Sequence, residues 1–184
     1  GAIHSRRIAI AVSRYPYFRE NSTAAPASGG GGAKGFIAYG IAASGGAITV
    51  TINPDNASGN YITGGIDEFA GVNASPLDVD GGESTGTSTT PSDALTTVTD
   101  CDIVVGVLWN ANVSSTITPN RGPTVIDTEI SNLNQVSASL FQRAGPTGSY
   151  SIGWVISNSQ EWRVYTAAFT SASPASATFA YTSS

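Results

Sequence analysis

Apolar and polar residues alternate two by two along most of this chain, the period of a strand with one buried side. The clearest case is Ala47–Gly71, AITVTINPDNASGNYITGGIDEFAG. Ile48, Val50 and Ile52 share one side of a first strand, with Thr49 and Thr51 opposite. Tyr61, Thr63, Asp67 and Phe69 then oppose Ile62, Ile66 and Glu68 in a second. The intervening Asn, Pro, Asp, Ser and Gly are turn residues, so the stretch reads as a β-hairpin.

The same period recurs from end to end. It predicts strands over Arg7–Tyr15, Gly35–Ala42, Ala47–Ile52, Asn60–Phe69 and Ser75–Glu83. Further strands are predicted over Asp102–Asn110, Val113–Thr118, Ser137–Arg143, Ser149–Ser157, Glu161–Thr170 and Ser176–Thr182. DIVVGVLWN at Asp102–Asn110 is apolar without a break and predicts a central strand buried on both faces. Residues 21–34 include four consecutive glycines and read as a flexible loop; Ser84–Asp93 reads as a Ser/Thr/Gly loop. Between Ile126 and Val136 the apolar spacing suits a helix, but Asn and Ser surround it, so a loop with at most one helical turn is expected. About eleven short strands without a convincing helix predict an all-β fold, a two-sheet antiparallel β-sandwich of jelly-roll type in one domain, 1–184.

Composition adds the setting. Only 11% of the 184 residues are charged, against about 25% in an ordinary soluble domain, while 40% are hydrophobic. This low charge suits an extracellular or virion-surface protein better than a cytosolic enzyme. A net charge of −5 with Lys34 as the one lysine argues against a nucleic-acid partner. No apolar run approaches the roughly 20 residues of a membrane-spanning helix, so membrane insertion is not expected. A single cysteine, Cys101, excludes a disulfide within the chain.

Catalytic chemistry finds little to work with. The one histidine, His4, lies near the start of the sequence, where nothing orients it as a general base. Cys101 is flanked by Asp100 and Asp102, whose charges disfavour a thiolate. Asp67 and Glu68 are consecutive in a predicted strand and point to opposite faces, which separates them as a glycosidase pair. The expectation is a chain that is not an enzyme. Two weaker sites remain. Asp78, Asp80 and Glu83 surround Gly81 and Gly82, a ligand type that Ca2+ uses, and form the candidate metal site; no other cofactor is expected. Tyr15, Tyr17 and Phe18 around Pro16, joined by Trp162, form the candidate surface for a glycan or partner protein.

The segments ITVTI, IDEFAGV and SPLD, followed by CDIVVGVLW and GWVISNSQEWRVYTAAF, resemble a recurrent β-sandwich module of secreted bacterial proteins and tailed-phage particles, the concanavalin-type jelly-roll class. The resemblance spans Arg7–Phe169. It implies a role in decoration, adhesion or carbohydrate binding and carries over no catalytic residue. Two departures from such modules are expected: RRIAIAV stands as the first strand, where those modules usually carry one before it, and SATFAYT continues past Phe169. The added strand is expected to fill an open sheet edge, in its own chain or in a second copy, which makes a homo-oligomer or another surface protein the expected partner. Deleting residues 171–184 should abolish oligomers or unfold the monomer, measured by native mass and thermal melting; a truncated chain that assembles and melts like its parent contradicts this.

Overall fold

The structure is a computed structural model and describes residues 37–40, 67–69, 71–100, 103–110, 116–120, 124–131, 135–172 and 181–183. All regular structure among them is β, and every strand pairing is antiparallel. In chain order the strands are β1 (Asp67–Phe69), β2 (Val72–Ser88), β3 (Ser92–Thr96), β4 (Ile103–Asn110) and β5 (Ile117–Pro119). They continue as β6 (Thr124–Ser131), β7 (Gln135–Arg143), β8 (Ser149–Ile156), β9 (Gln160–Ser171) and β10 (Tyr181–Ser183).

A five-stranded sheet in the order β2-β9-β4-β7-β6 is the centre of the molecule. Its middle strand β4 is buried at all eight positions, as an uninterrupted apolar strand must be when both faces are covered. Alternation sorts its side chains. Val104 and Leu108 join Leu95, Ile152, Trp154, Ile156, Trp162, Val164 and Ala168 in one apolar cluster; Ile103, Val105 and Val107 join Ile37, Phe69, Val72, Tyr165, Ala167 and Phe169 in the other. The first cluster lies against the three-stranded sheet β3-β8-β5, and the second is covered in part by residues 37–40 and β1. There Tyr39 meets the Phe169 ring edge-on, with centroids 5.3 Å apart. Each fully buried Ile, Leu, Phe or Val adds about 1.5–3 kcal/mol over its exposed state. The two layers on the first side are compatible with a sandwich.

Close approach of the layers depends on Gly106 in β4. A Cβ there would collide with Cγ2 of Ile152 on β8. β8 and β9 are joined only by residues 157–159, yet they lie in different sheets, so this short link carries the chain from one layer to the next. The ladder of β8 extends beyond β3: Trp154 and Ile156 N–H groups donate to Pro91 and Thr89 carbonyls, both at 2.9 Å.

Several expected boundaries move. The run Ser84–Ser88, expected as loop, continues β2 to a 17-residue strand paired with β9 from Ser171 to Gln160, and Ser92–Thr96 is β3. Small polar residues form strand here because β9 supplies a complete ladder of donors and acceptors opposite them. Residues 124–131 and 135–143 are β6 and β7 rather than a loop before a strand. Ile126 and Ile130 are four apart, and four is a multiple of the strand period as well as nearly one helical turn. Residues 37–40 carry no strand, although Gly35–Ala42 was expected as one. The predicted strands Arg7–Tyr15 and Ala47–Ile52, the 21–34 loop and the 47–66 part of the hairpin lie outside the described residues.

The end of the hairpin is described, and its partner is unexpected. β1 pairs with β10, with Asp67 opposite Ser183, Glu68 opposite Thr182 and Phe69 opposite Tyr181. Ser171 meanwhile belongs to β9 and faces Val72, so a truncation that tests β10 alone begins at residue 173.

Replacing Gly106 with alanine should destabilise the fold by about 1–3 kcal/mol through overpacking against Ile152. Adding Ile152→Ala should return part of that loss, so that the double variant is more stable than the two single effects sum to. Urea denaturation measures it, and strict additivity would disprove the contact.

Candidate functional site

The polar chemistry of the described residues gathers around β9. Its sequence QEWRVYTAAFTS sends Trp162, Val164 and Ala168 toward the three-stranded sheet and Tyr165, Ala167 and Phe169 to the other face. Two polar residues are buried among them, Arg163 at 5% and Thr166 at 2% exposure. A buried guanidinium is tolerated only with an anion beside it. Arg163 Nη1 donates to Glu83 Oε1 at 2.8 Å, and the same oxygen accepts the Tyr165 hydroxyl at 2.7 Å. Nη2 donates to Glu161 Oε1 at 3.2 Å, a carboxylate half open to water. Glu83 stands directly across the ladder from Tyr165 and Thr85 across from Arg163, so strand register sets this triad. Burial is the largest influence on Arg163 and favours its neutral form. The hydrogen bond and charge of Glu83, helped by Tyr165 and Glu161, outweigh it and raise the pKa above the ordinary value.

On the opposite side of β9 a second carboxylate ties the layers together. Asp93 of β3 accepts from Ser84 Oγ at 2.7 Å on one oxygen and from Thr166 Oγ1 on the other, joining β3 to both β2 and β9. At one end of the molecule Asp78 accepts from Val98 N at 2.7 Å and from Thr99 N and Oγ1 at 3.3 and 2.6 Å. Asp78 is placed for this by a register shift between Leu77 and Val79, where an extra residue re-aims a side chain. Nearby, Asp100 Oδ1 accepts from Thr147 N at 2.6 Å, and Thr97 and Gly148 bond one another through backbone and hydroxyl. The Tyr150 hydroxyl donates to Pro146 O and accepts from Gly145 N.

Each of the candidate residues has a place in this scheme or lies outside it. Asp78, Asp80 and Glu83 do not converge. Asp78 holds the 98–99 segment, Asp80 Oδ1 accepts from Gly82 N at 3.0 Å, and Glu83 holds Arg163 and Tyr165. They lie along β2 instead of in the expected turn, and no group of three or more His, Cys, Asp or Glu side chains suited to a metal occurs among the described residues.

Trp162 requires a correction as a glycan platform. It is 8% exposed, its indole Nε1 donates to Ser88 Oγ at 2.9 Å, and its ring lies where a Cβ on Gly86 would come within 2.6 Å of Cζ2. An apolar strand residue facing another sheet is core, and Gly86 makes the room for it. Tyr15, Tyr17, Phe18, His4 and Cys101 lie outside the described residues. Asp67 and Glu68 occupy consecutive ladder positions of β1, as expected.

Compared with protein-family models, curated proteins and solved structures, the chain matches none. What can be said of its function therefore starts from this geometry. The residues that organise it, Arg163, Tyr165, Thr166, Asp93 and Ser84, were not singled out by sequence reading. The signal was an arginine inside the otherwise apolar run WRVYTAAF, which demands a buried acid somewhere else in the chain.

Glu83→Ala should cost about 3–5 kcal/mol, since it leaves the Arg163 charge buried beside only an exposed carboxylate. Combining Glu83→Leu with Arg163→Met should cost far less than Glu83→Ala alone. Glu161→Ala should cost no more than about 1 kcal/mol, because that carboxylate is 51% exposed. Denaturant midpoints rank the three, and a Glu83→Ala loss under about 0.5 kcal/mol would contradict the assignment.

Proposed function

We propose that this chain is a non-enzymatic structural subunit of a virion or cell exterior, built as a two-sheet β-sandwich of jelly-roll type that assembles with other copies. One observation carries the reading. Asp78, Asp80, Glu83, Asp93, Asp100 and Glu161 are the acidic residues whose side chains are described; Asp78, Glu83, Asp93 and Asp100 accept hydrogen bonds that tie distant parts of the fold together, while Asp80 and Glu161 accept from groups two residues along their own strands. Acid–base catalysis needs a carboxylate aimed at a substrate, and the first four are committed to the scaffold. Acids that brace separate parts of one body suit a rigid, repeating structural part.

The resemblance to secreted and tailed-phage sandwich modules agrees with this reading, as does the low charged fraction of 11%, which suits an extracellular or virion-surface setting. A glycan-binding module is the alternative, and it now rests on Tyr15, Tyr17 and Phe18 without Trp162.

Sedimentation over a wide concentration range separates the two. A structural subunit should show a mass rising in multiples of 18.7 kDa. A strictly monomeric chain with glycan-array binding that disappears in Tyr17→Ala would overturn the proposal in favour of the second.

A further inference from the structure

One end of the molecule is held by a different kind of bond from the rest. The β3–β8 ladder ends with Thr96 opposite Ser149, and one further rung follows, in which Thr97 N donates to Gly148 O at 3.0 Å. Gly148 N returns a bond to Thr97 Oγ1 at 3.2 Å. Beyond that rung the chain leaves the sheet on both sides, as residues 98–100 and 144–148. Val98 is 73% exposed, and Asp100, Gly145, Pro146 and Thr147 are exposed with it; of these two segments only Ala144 belongs to an apolar cluster.

Apolar burial therefore contributes little to holding them, and the attachment falls to two carboxylates. Asp78 on β2 accepts from Val98 N at 2.7 Å and from Thr99 N and Oγ1. Asp100 accepts from Thr147 N at 2.6 Å. These bonds lie in series. Asp78 fixes Val98 and Thr99, the next residue is Asp100, and Asp100 fixes Thr147, whose neighbour Gly148 is bound back to Thr97. Successive Cα atoms are only about 3.8 Å apart, so the Asp100 carboxylate keeps its place only while Thr99 keeps its own. Tyr150 gives the second segment a separate tie to β8 through Gly145 N and Pro146 O, which leaves Thr147 and Gly148 to the series.

We infer that residues 97–100 and 147–148 form a clasp that opens and closes as one unit while both sheets stay intact, with Asp78 as its latch to β2. Such an opening requires less free energy than global unfolding because it uncovers little apolar surface. It gives the body one end that changes shape where the strands themselves need not part.

Amide hydrogen exchange of the full chain, read residue by residue by NMR, tests the clasp. Asp100→Ala removes the acceptor of Thr147 N and touches neither Val98 nor Thr99. It should nonetheless speed exchange at Val98 and Thr99 by the same factor as at Thr147 and Gly148, about three- to tenfold for one exposed charged acceptor. Asp78→Ala should do the converse and speed Thr147 and Gly148, which Asp78 does not contact. Val104–Leu108 in β4 should keep their protection in both variants. Effects confined to each carboxylate's own donors would overturn the clasp and leave two independent segments. An equal rise in β4 would overturn it as well, since the end would then open only with the whole fold. If Asp78→Ala does not fold, Asp100→Ala decides alone, because that residue is exposed.

Discussion

A strand buried on both faces cannot leave any polar group to solvent, and β9 imposes that condition on everything around it. It runs between β2 and β4, with one row of side chains against the three-stranded sheet and the other against Ile37, Phe69 and Val72. Arg163 and Thr166 violate the apolar pattern in opposite directions, so each face must provide an acceptor. Glu83 answers the first and Asp93 the second. Because Glu83 belongs to β2 and Asp93 to β3, the two bonds fix both neighbouring elements of chain relative to β9. The apolar clusters supply most of the stabilisation, and this pair of acids supplies the register: a slip of one residue in β2 would carry Glu83 to the wrong face.

The register also explains the bulges. β2 shifts against β9 near Asp78 and near Gly81. Without these shifts, strict alternation through the long strand would give its acids a different set of neighbours. With them, Asp78 reaches the 98–99 segment while Glu83 still lies beside Tyr165. Gly81, the extra residue between Asp80 and Gly82, is packed so closely on Thr166 that a side chain there would strike its hydroxyl. An irregular strand here is the price of serving two ends of the molecule.

What the sequence made legible follows from where one signal sufficed. DIVVGVLWN has a single reading, and β4 occupies Ile103–Asn110; SYSIGWVIS and EWRVYTAAFT likewise coincide with β8 and β9 to within a residue or two. β2 was half hidden because DGGESTGTS has turn composition, and only the partner strand makes it extended. β6 was hidden because the spacing of Ile126 and Ile130 satisfies two periods at once. The candidate metal residues were placed in a turn for a related reason: Asp78, Asp80 and Glu83 are close in sequence, but they lie along β2 and each has its own partner. Trp162 showed that an aromatic in an apolar strand reads the same whether it faces a sheet or a ligand.

The carboxylate bonds and the β1–β10 ladder are separate parts of the fold. Bonds from Asp78, Glu83, Asp93 and Asp100 all close within the body of the chain and involve neither β1 nor β10. The bonds that hold residues 71–172 together are therefore independent of the β1–β10 ladder, so losing that ladder would leave each of them in place. The long strands carry both the apolar clusters and the acids that fix their register, whereas β1 and β10 meet through three residues, with Phe69 the link from that ladder to the core.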